Sequence, residues 1–527
     1  MATREVLIDG SWRPARASGT FRAVNPDTGE VLDDEYPVSE RADVDAVVSA
    51  GVAAAEQLID VPAEQRAEFL ERYAERIEAR ADEIVAAAHD ETALPASPRL
   101  ADVELPRTTG QLRQAAAAAR NGSWTQPTID SKNNIRSMFG PLGGPVAVFG
   151  PNNFPLAFNG VSGGDFAAAL GAGNPVIAKA HPSHPGTCRM LGEEAAQAIA
   201  DVKMPKATVQ LIYRTSHKDG AYLVSHPRIA ATGYTGSRGA GLALKAAADA
   251  AGKPIYLEMS SINPVFVLPG ALRERSDEIA DQLQTSALMG TGQFCTNPGI
   301  VVLRAGAEAD ALVDSMRERF AGADPSALLG PGGVESLAAS VTALTEAGAE
   351  LLVGGAVVEN RGCRFSNTLL RVPAERFMAD PERLQTEAFG NSNLFVVAAD
   401  DDELASVAGS FEGNLTGCIY SHTAGDDDAL YGRIARPLRR RVGRLLNDKM
   451  PTGVAVSAAM NHGGPYPATG HPGFTAVGIP AALHRFAMLE CYDNVRQERL
   501  PSELRDVNPR PDLWRYVDGQ WTQADVG

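Results

Sequence analysis

The sequence predicts an α/β protein with a doubly wound parallel sheet, a second α/β domain and β-arms that leave the main body. Three observations predict this. Short apolar runs alternate with amphipathic helical stretches from Pro145 onward, and a glycine-rich turn follows the fourth run. The 527 residues also suffice for two to four packing units of about 100–200 residues each. Strand–helix alternation of this kind covers both faces of a parallel sheet and leaves ligands to its strand ends.

Near the start, Ile8-Asp9-Gly10-Ser11-Trp12 sets an Asp-Gly pair between apolar residues, a hairpin-turn signal. Val517-Asp518-Gly519-Gln520-Trp521 echoes it near the end, and one echo does not make a repeat protein. Asp60 and Pro62 open a long helix in which Leu70, Tyr73, Ile77, Ile84 and Ala88 form one apolar stripe, ending before Pro95. Strands are expected at 146–149, 175–178, 209–213, 228–232 and 255–257, with helices at 156–170, 186–200, 217–224 and 239–250. A second mixed region runs from about Ser260 to His462, while 128–139 and the residues after about Phe474 read as arms of the kind that pair with a neighbouring subunit. The expected plan is a dinucleotide-binding domain from 1–127 and 140–259, a catalytic domain from 260–462, and an oligomerisation arm with a C-terminal extension from 128–139 and 474–527.

Hydrophobic residues at 44% and charged residues at 21% describe an ordinary globular chain, and a net charge of −17 disfavours a phosphate backbone as partner. The one basic stretch, Arg436 to Arg444, reads as a solvated helix face or a patch against a sister subunit. The opening residues lack the basic start and apolar core of a signal peptide, and no apolar run approaches the roughly 18 residues of a membrane span. The five cysteines (188, 295, 363, 418 and 491) are scattered and never spaced CxxC, which argues against a disulfide framework and against a zinc site. A reducing cytoplasm fits this usage.

The strongest chemical signal is Gly290-Thr291-Gly292-Gln293-Phe294-Cys295-Thr296-Asn297, whose glycines would let a substrate carbon approach the sulfur. Glu258, in Leu257-Glu258-Met259-Ser260-Ser261, ends an apolar strand, where a carboxylate serves either a salt bridge or general-base chemistry. In Gly150-Pro151-Asn152-Asn153-Phe154-Pro155 an asparagine either caps the next helix or donates to an oxyanion. The turn from Gly233 through Gly236, Ser237 and Gly239 to Gly241 follows a strand and opens a helix, a place that favours pyrophosphate, although it is not GxGxxG. Lys179 ends another strand, either as a surface lysine or within reach of the same crevice.

In this order the segments resemble the aldehyde dehydrogenase superfamily over nearly the whole chain, from Ile8 to about Leu504. The resemblance implies Cys295 as nucleophile, Glu258 as activator of the deacylating water, and Asn153 with the Cys295 N–H as oxyanion hole. It further implies that Glu387 and Phe389, in Glu387-Ala388-Phe389-Gly390, hold the nicotinamide ribose, and that Lys179 binds the adenosine ribose. Within the superfamily, Lys179-Ala180-His181-Pro182-Ser183-His184-Pro185, Glu258-Met259-Ser260-Ser261-Ile262-Asn263-Pro264 and His462-Gly463-Gly464-Pro465-Tyr466-Pro467 look like the 2-oxoglutarate semialdehyde (2,5-dioxopentanoate) and NADP-dependent long-chain branch. Pro182 stands where many relatives carry a ribose-binding glutamate. Removing that carboxylate removes repulsion of a 2′-phosphate, so either NAD or NADP is expected, with NADP favoured and Lys179 and Arg214 as its phosphate partners.

The implied substrate is a small aldehyde, 2-oxoglutarate semialdehyde, or alternatively a medium- to long-chain fatty aldehyde oxidised with NADP. An oxo-acid semialdehyde needs a cation for its distal carboxylate, for which Arg107 and Arg113 are the candidates. Phe154, Phe158 and Phe294 are candidate pocket residues, and His462 is either structural or at the pocket entrance. The resemblance further implies a homodimer or homotetramer. A cofactor-free cysteine hydrolase would leave the strand–helix units and Glu387 unexplained, and a non-catalytic relative would have lost the cysteine or the glutamate.

Overall fold

A computed structural model describes residues 3–527; Met1 and Ala2, with which the first expected domain opens, lie outside the described residues. The first large sheet runs Ile255–Glu258, Ala231–Thr235, Val146–Phe149, Val176–Lys179, Val209–Ile212, Val6–Ile8, Ser11–Arg13. The first five strands are parallel, and the last two form an antiparallel hairpin on the edge. The strand order reverses between Val146–Phe149 and Ala231–Thr235, which is where a doubly wound sheet opens a ligand crevice at its carboxyl ends. Both Asp-Gly hairpins form. Their turn residues lie in the left-handed region (Asp9 φ 52°, Gly10 φ 71°, Asp518 φ 45°, Gly519 φ 90°), as a two-residue hairpin matching the strand twist requires.

The second large sheet runs Glu350–Val353, Thr368–Pro373, Ser392–Ala398, Ile300–Arg304, Val265–Val267, Asn414–Tyr420, Val442–Asn447, parallel except at Glu350–Val353. Successive residues of its strands feed two different cores: Phe266 and Val302 pack on one face, Val265, Val267, Val301 and Leu303 on the other. That is why these strands are apolar throughout rather than alternating. The third sheet joins distant parts of the chain in the order Ala487–Asp493, Ile135–Pro141, Thr128–Asp130, Arg515–Val517, Gln520–Thr522. No helix among the described residues is long and apolar enough to cross a membrane.

Several expectations are corrected. The long helix after Pro62 is two, Ala63–Ala79 and Ala81–Thr92, broken at Arg80 (φ −113°, ψ 20°), although its apolar stripe stays buried across the break. The helix expected over 156–170 is only Gly164–Gly171. Asn159 prevents an earlier start: its side chain donates to Pro155 O at 2.7 Å and accepts from Val161 N at 3.1 Å, offering the backbone a turn instead. The strand expected over 228–232 is Ala231–Thr235, because the parallel register sets Ala231 opposite Val146 at the start of its neighbour. The arm also begins later than 474. Phe474, Ala476 and Val477 pack with Phe154, Phe158 and Phe294, and Ile479, Ala482, Leu483 and Phe486 belong to the core of the first sheet, so the chain turns into the third sheet only at Ala487.

Candidate active site

The helix Pro269–Leu288 feeds a turn at Met289–Gly292 in which Gly290, Thr291 and Gly292 take φ values of 55°, 57° and 69°. A Cβ on Gly290 would sit 2.8 Å from the Phe294 ring, and one on Gly292 would strike Gly390 O. These glycines therefore serve the turn and its close packing, not the substrate approach expected from the sequence. Asn263 then fastens the loop, donating from Nδ2 to Cys295 O and to Asn297 O, each at 2.9 Å. Its Oδ1 accepts from Ser261 Oγ at 2.8 Å and Thr416 Oγ1 at 2.9 Å, so its orientation is set from both ends.

Glu258 is the last residue of its strand, and a bridge to Thr469 continues the pairing past the sheet. Met259 N donates to Ala468 O at 2.8 Å, which draws the 462–470 segment over the strand end. His462 is thereby placed between acid and thiol: its Nε2 is 2.8 Å from Glu258 Oε1 and 3.3 Å from Cys295 Sγ. Glu258 and His462 are each 1% exposed, whereas Cys295 is half-buried. His462 is therefore not at the pocket entrance, where the sequence reading had put it as one option. Burial, and then the Glu258 charge, push the Cys295 thiol well above its ordinary range, so a thiolate needs a neighbouring proton acceptor.

Asn153 is buried and joined to the cysteine loop two residues before Cys295, its Nδ2 donating to Gln293 O at 3.0 Å. Its turn is clamped by a pair that the sequence reading did not identify. Arg99 donates to Asn153 O at 3.0 Å and is ion-paired with Glu104. Glu104, fully buried, accepts from Leu156 N at 2.8 Å and Ala157 N at 3.0 Å. These bonds run to main-chain groups, which leave no residue-type signal.

Phe154, Phe158 and Phe294 come together edge to face, with centroids 5.3 Å apart for Phe154–Phe158 and for Phe154–Phe294. Arg107 lies over this cluster, its guanidinium carbon 5.1 Å from the Phe158 centroid, and its Nη1 donates to Val454 O at 3.1 Å. Its Nε and Nη2 are enclosed without a partner. Arg113 is elsewhere: exposed, and bound to both Glu78 oxygens at 2.6 and 2.7 Å. On the helix Leu105–Asn121, six residues at about 100° each carry Arg113 to a different face from Arg107.

At the crevice, Ser237 precedes the helix Arg238–Ala250 and makes no capping bond, leaving the first helical N–H groups free of it. A Cβ on Gly239 would meet open space. Gly236 stands half-exposed beside it, while Gly233 and Gly241 do not line the crevice. Gly233 is buried in mid-strand, where a Cβ would lie 2.6 Å from Asp165 Oδ2, and Gly241 lets its helix approach Tyr234 and Met259. Lys179 is half-buried, and burial, together with the Arg214 charge, pulls it down to about 8. A cleft of about 250 Å³ lies between Arg238, the first residue of the helix after Ser237, and Glu387, which accepts from Ser261 N at 3.1 Å and which burial raises to about 7. Glu387 and Phe389 also line a smaller cavity with Phe294 and Asn297, which joins this side of the molecule to the thiol loop. A cationic strand end, an open helix start and an opposed carboxylate fit the phosphates and ribose hydroxyls of a dinucleotide.

A thiol with an imidazole and a carboxylate beside it, set near such a crevice, fits a cysteine-dependent dehydrogenase. Comparison with known proteins agrees. The family model described as "Aldehyde dehydrogenase family" matches residues 12–464. The chain is 39% identical over 521 residues to alpha-ketoglutaric semialdehyde dehydrogenase 2 of Azospirillum brasilense, covering 96% of this chain and 97% of the relative. It is 36% identical to the alpha-ketoglutaric semialdehyde dehydrogenase of Acinetobacter baylyi, covering 87% and 88%. Its fold matches that of a Pseudomonas syringae aldehyde dehydrogenase C mutant complexed with NAD+ and octanal, with a TM-score of 0.79 over 93% of this chain and 96% of that one at 20% identity. The chain belongs to the aldehyde dehydrogenase family and is an NAD(P)-dependent enzyme that oxidises an aldehyde to a carboxylic acid.

Proposed function

We propose that the substrate is 2-oxoglutarate semialdehyde (2,5-dioxopentanoate), with Cys295 as nucleophile. The observation that carries this reading is Arg107, whose enclosed Nε and Nη2 have no partner beside the aromatic cluster. Enclosed guanidinium donors are costly unless an anion meets them, and a distal carboxylate supplies charge-assisted, bidentate bonds. An alkyl chain threaded along Phe154, Phe158 and Phe294 would leave those donors bare, which disfavours the fatty aldehyde. The two alpha-ketoglutaric semialdehyde dehydrogenases among the relatives support the same substrate.

In the cycle, Cys295 gives up its proton to solvent and the thiolate attacks the aldehyde carbon, giving a thiohemiacetal oxyanion held by Asn153 Nδ2 and the Cys295 N–H, while His462 Nε2–H donates to Glu258 and holds that carboxylate in place. The bound oxidised nicotinamide supplies the hydride acceptor. Loss of hydride leaves a thioester on Cys295. Glu258 then takes a proton from water, which attacks the acyl carbon, and the acid and the free thiol are released. Glu387 and Phe389 would orient the nicotinamide ribose, while Gly236, Ser237, Lys179 and Arg214 would receive the phosphates. The missing ribose carboxylate at Pro182 and the second cation, Arg214, favour NADP over NAD.

The outer strand Ala487–Asp493 exposes Met488 (47%) and Leu489 (62%) beside an unpaired edge, which supports pairing of copies in a homodimer or homotetramer. The test of the whole reading is a panel of oxo-acid, dicarboxylic and alkyl aldehydes, run with NAD and with NADP. The reading expects the highest kcat/KM for 2,5-dioxopentanoate with NADP. A preference for alkyl aldehydes rising with chain length would overturn it.

A further inference from the structure

The reacting group carries a second capability that its redox chemistry does not use. Cys295 Sγ, His462 Nε2 and one carboxylate oxygen of Glu258 all lie within 4.8 Å of one another. These three donors come from three separate parts of the chain, so no cysteine spacing announces them. Glu258 adds a second observation: its other oxygen, Oε2, is buried with no partner, in a side chain 1% exposed. The geometry points to a reversible inhibitory site for zinc, or another thiophilic divalent ion, on Cys295, His462 and Glu258.

Ligand lengths support this. Zinc bonds of about 2.3 Å to sulfur and about 2.0–2.2 Å to nitrogen and oxygen set tetrahedral donor separations of roughly 3.4–3.6 Å. The sulfur–nitrogen distance of 3.3 Å is already close, and the nitrogen–oxygen distance of 2.8 Å needs to open by roughly half an ångström. Charge balances as well. The metal displaces the thiol proton to solvent, and thiolate plus carboxylate then neutralise a divalent ion while the imidazole stays neutral. Both protein anions would otherwise repel each other in a dry site, a cost that the ion removes. Only Cys295 of the three is partly exposed, so an ion would reach the group from the sulfur's side. A capped sulfur forms no thiohemiacetal, and oxidation stops without any change in the oxidation state of the metal or the protein. A hard ion such as magnesium, which prefers an octahedron of oxygens, is not held.

This site depends on three side chains and not on which aldehyde is used, so its failure would leave the dehydrogenase reading standing. The test uses the full-length enzyme and two readouts that do not need turnover. Iodoacetamide labelling of the Cys295 peptide, followed by mass spectrometry, is expected to slow at least about tenfold in saturating zinc, to recover with a chelator and to ignore magnesium. Cobalt(II) is expected to give a thiolate charge-transfer band and tetrahedral visible bands in the wild type, and neither in Cys295→Ala or His462→Ala. Exposed Cys491 is the competing thiol, and reading the Cys295 peptide separately keeps the two apart even if a variant fails to fold. Unchanged labelling of Cys295 in zinc, or cobalt bands that persist in both folded variants, would overturn the proposal.

Discussion

His462 Nε2 stands 2.8 Å from Glu258 Oε1, with both side chains withdrawn from solvent. The same nitrogen is 3.3 Å from Cys295 Sγ, and the proton it gives the carboxylate fixes the proposed base beside the thiol. The two partners should fail at the same stage, to different degrees. Glu258→Gln is expected to keep one rapid equivalent of reduced cofactor and then stop, because deacylation has lost its base. His462→Ala is expected to keep that first equivalent and to slow the steady rate less, because the base stays and loses only its orienting donor. Stopped-flow absorbance of the reduced nicotinamide reads both phases. A missing burst in Glu258→Gln would reverse the assignment.

The Asn153 turn makes a second case, because Arg99 and Glu104 hold its main chain without touching the reacting atoms. Asn153→Ala is expected to lower kcat by about 10²–10³ through loss of the oxyanion donor. Arg99→Lys keeps the charge beside Glu104 and loses the bond to Asn153 O, so kcat is expected to fall by up to about 10²-fold, with the cofactor KM unchanged. If Arg99 acts through Asn153, the double variant is no slower than Asn153→Ala alone. Multiplying losses in the double variant would show that Arg99 acts elsewhere.

The legible parts of this molecule are those where residue type and backbone position coincide. Glu258 ends an apolar strand, Cys295 follows a left-handed turn framed by two glycines, and the parallel strands are continuous apolar runs, so pattern alone located these elements. His462 was recognisable as a motif but not as a bridge, because its place depends on the Glu258–Thr469 pairing across 211 positions of chain. Arg99 and Glu104 bind main-chain atoms, which no side-chain pattern records. Arg113 was misplaced through helix angle, and Gly233 because its missing side chain makes room for Asp165 rather than for a ligand. The helix over 156–170 failed for a local reason, since Asn159 satisfies backbone groups that a helix would have paired.

If Lys179 receives the 2′-phosphate as proposed, NADP binding carries a pH dependence with a definite sign. The lysine's value is lowered to about 8 by burial, so the ammonium is charged below that pH and neutral above it. On the proposed reading, the ammonium's contribution to 2′-phosphate affinity should therefore be fully present below that pH and fall as pH rises through about 8; phosphate binding itself moves the loss upward, and the phosphate keeps its second charge only above about pH 6. The KM for NADP is expected to climb above that pH, and the KM for NAD to climb less. Lys179→Arg, whose charge does not titrate in this range, is expected to flatten the NADP profile. Parallel profiles for both cofactors in the wild type would remove the phosphate role.

On the proposed reading, Arg107 selects for a distal carboxylate. Its two enclosed, partnerless nitrogens and its seat over Phe158 let a carboxylate bind with two charge-assisted bonds while the carbon chain lies on aromatic faces. Charge-assisted bonds of about 1.5–3 kcal/mol correspond to roughly 10–150-fold in kcat/KM, which Arg107→Met should remove for 2,5-dioxopentanoate. For hexanal the same change deletes an enclosed charge that the substrate cannot pair, so its kcat/KM is expected to hold or rise. The ratio of the two substrates is the measurement, because a general loss of folding lowers both together. A variant that loses both equally would leave Arg107 as a structural residue and the distal carboxylate without a partner in this pocket.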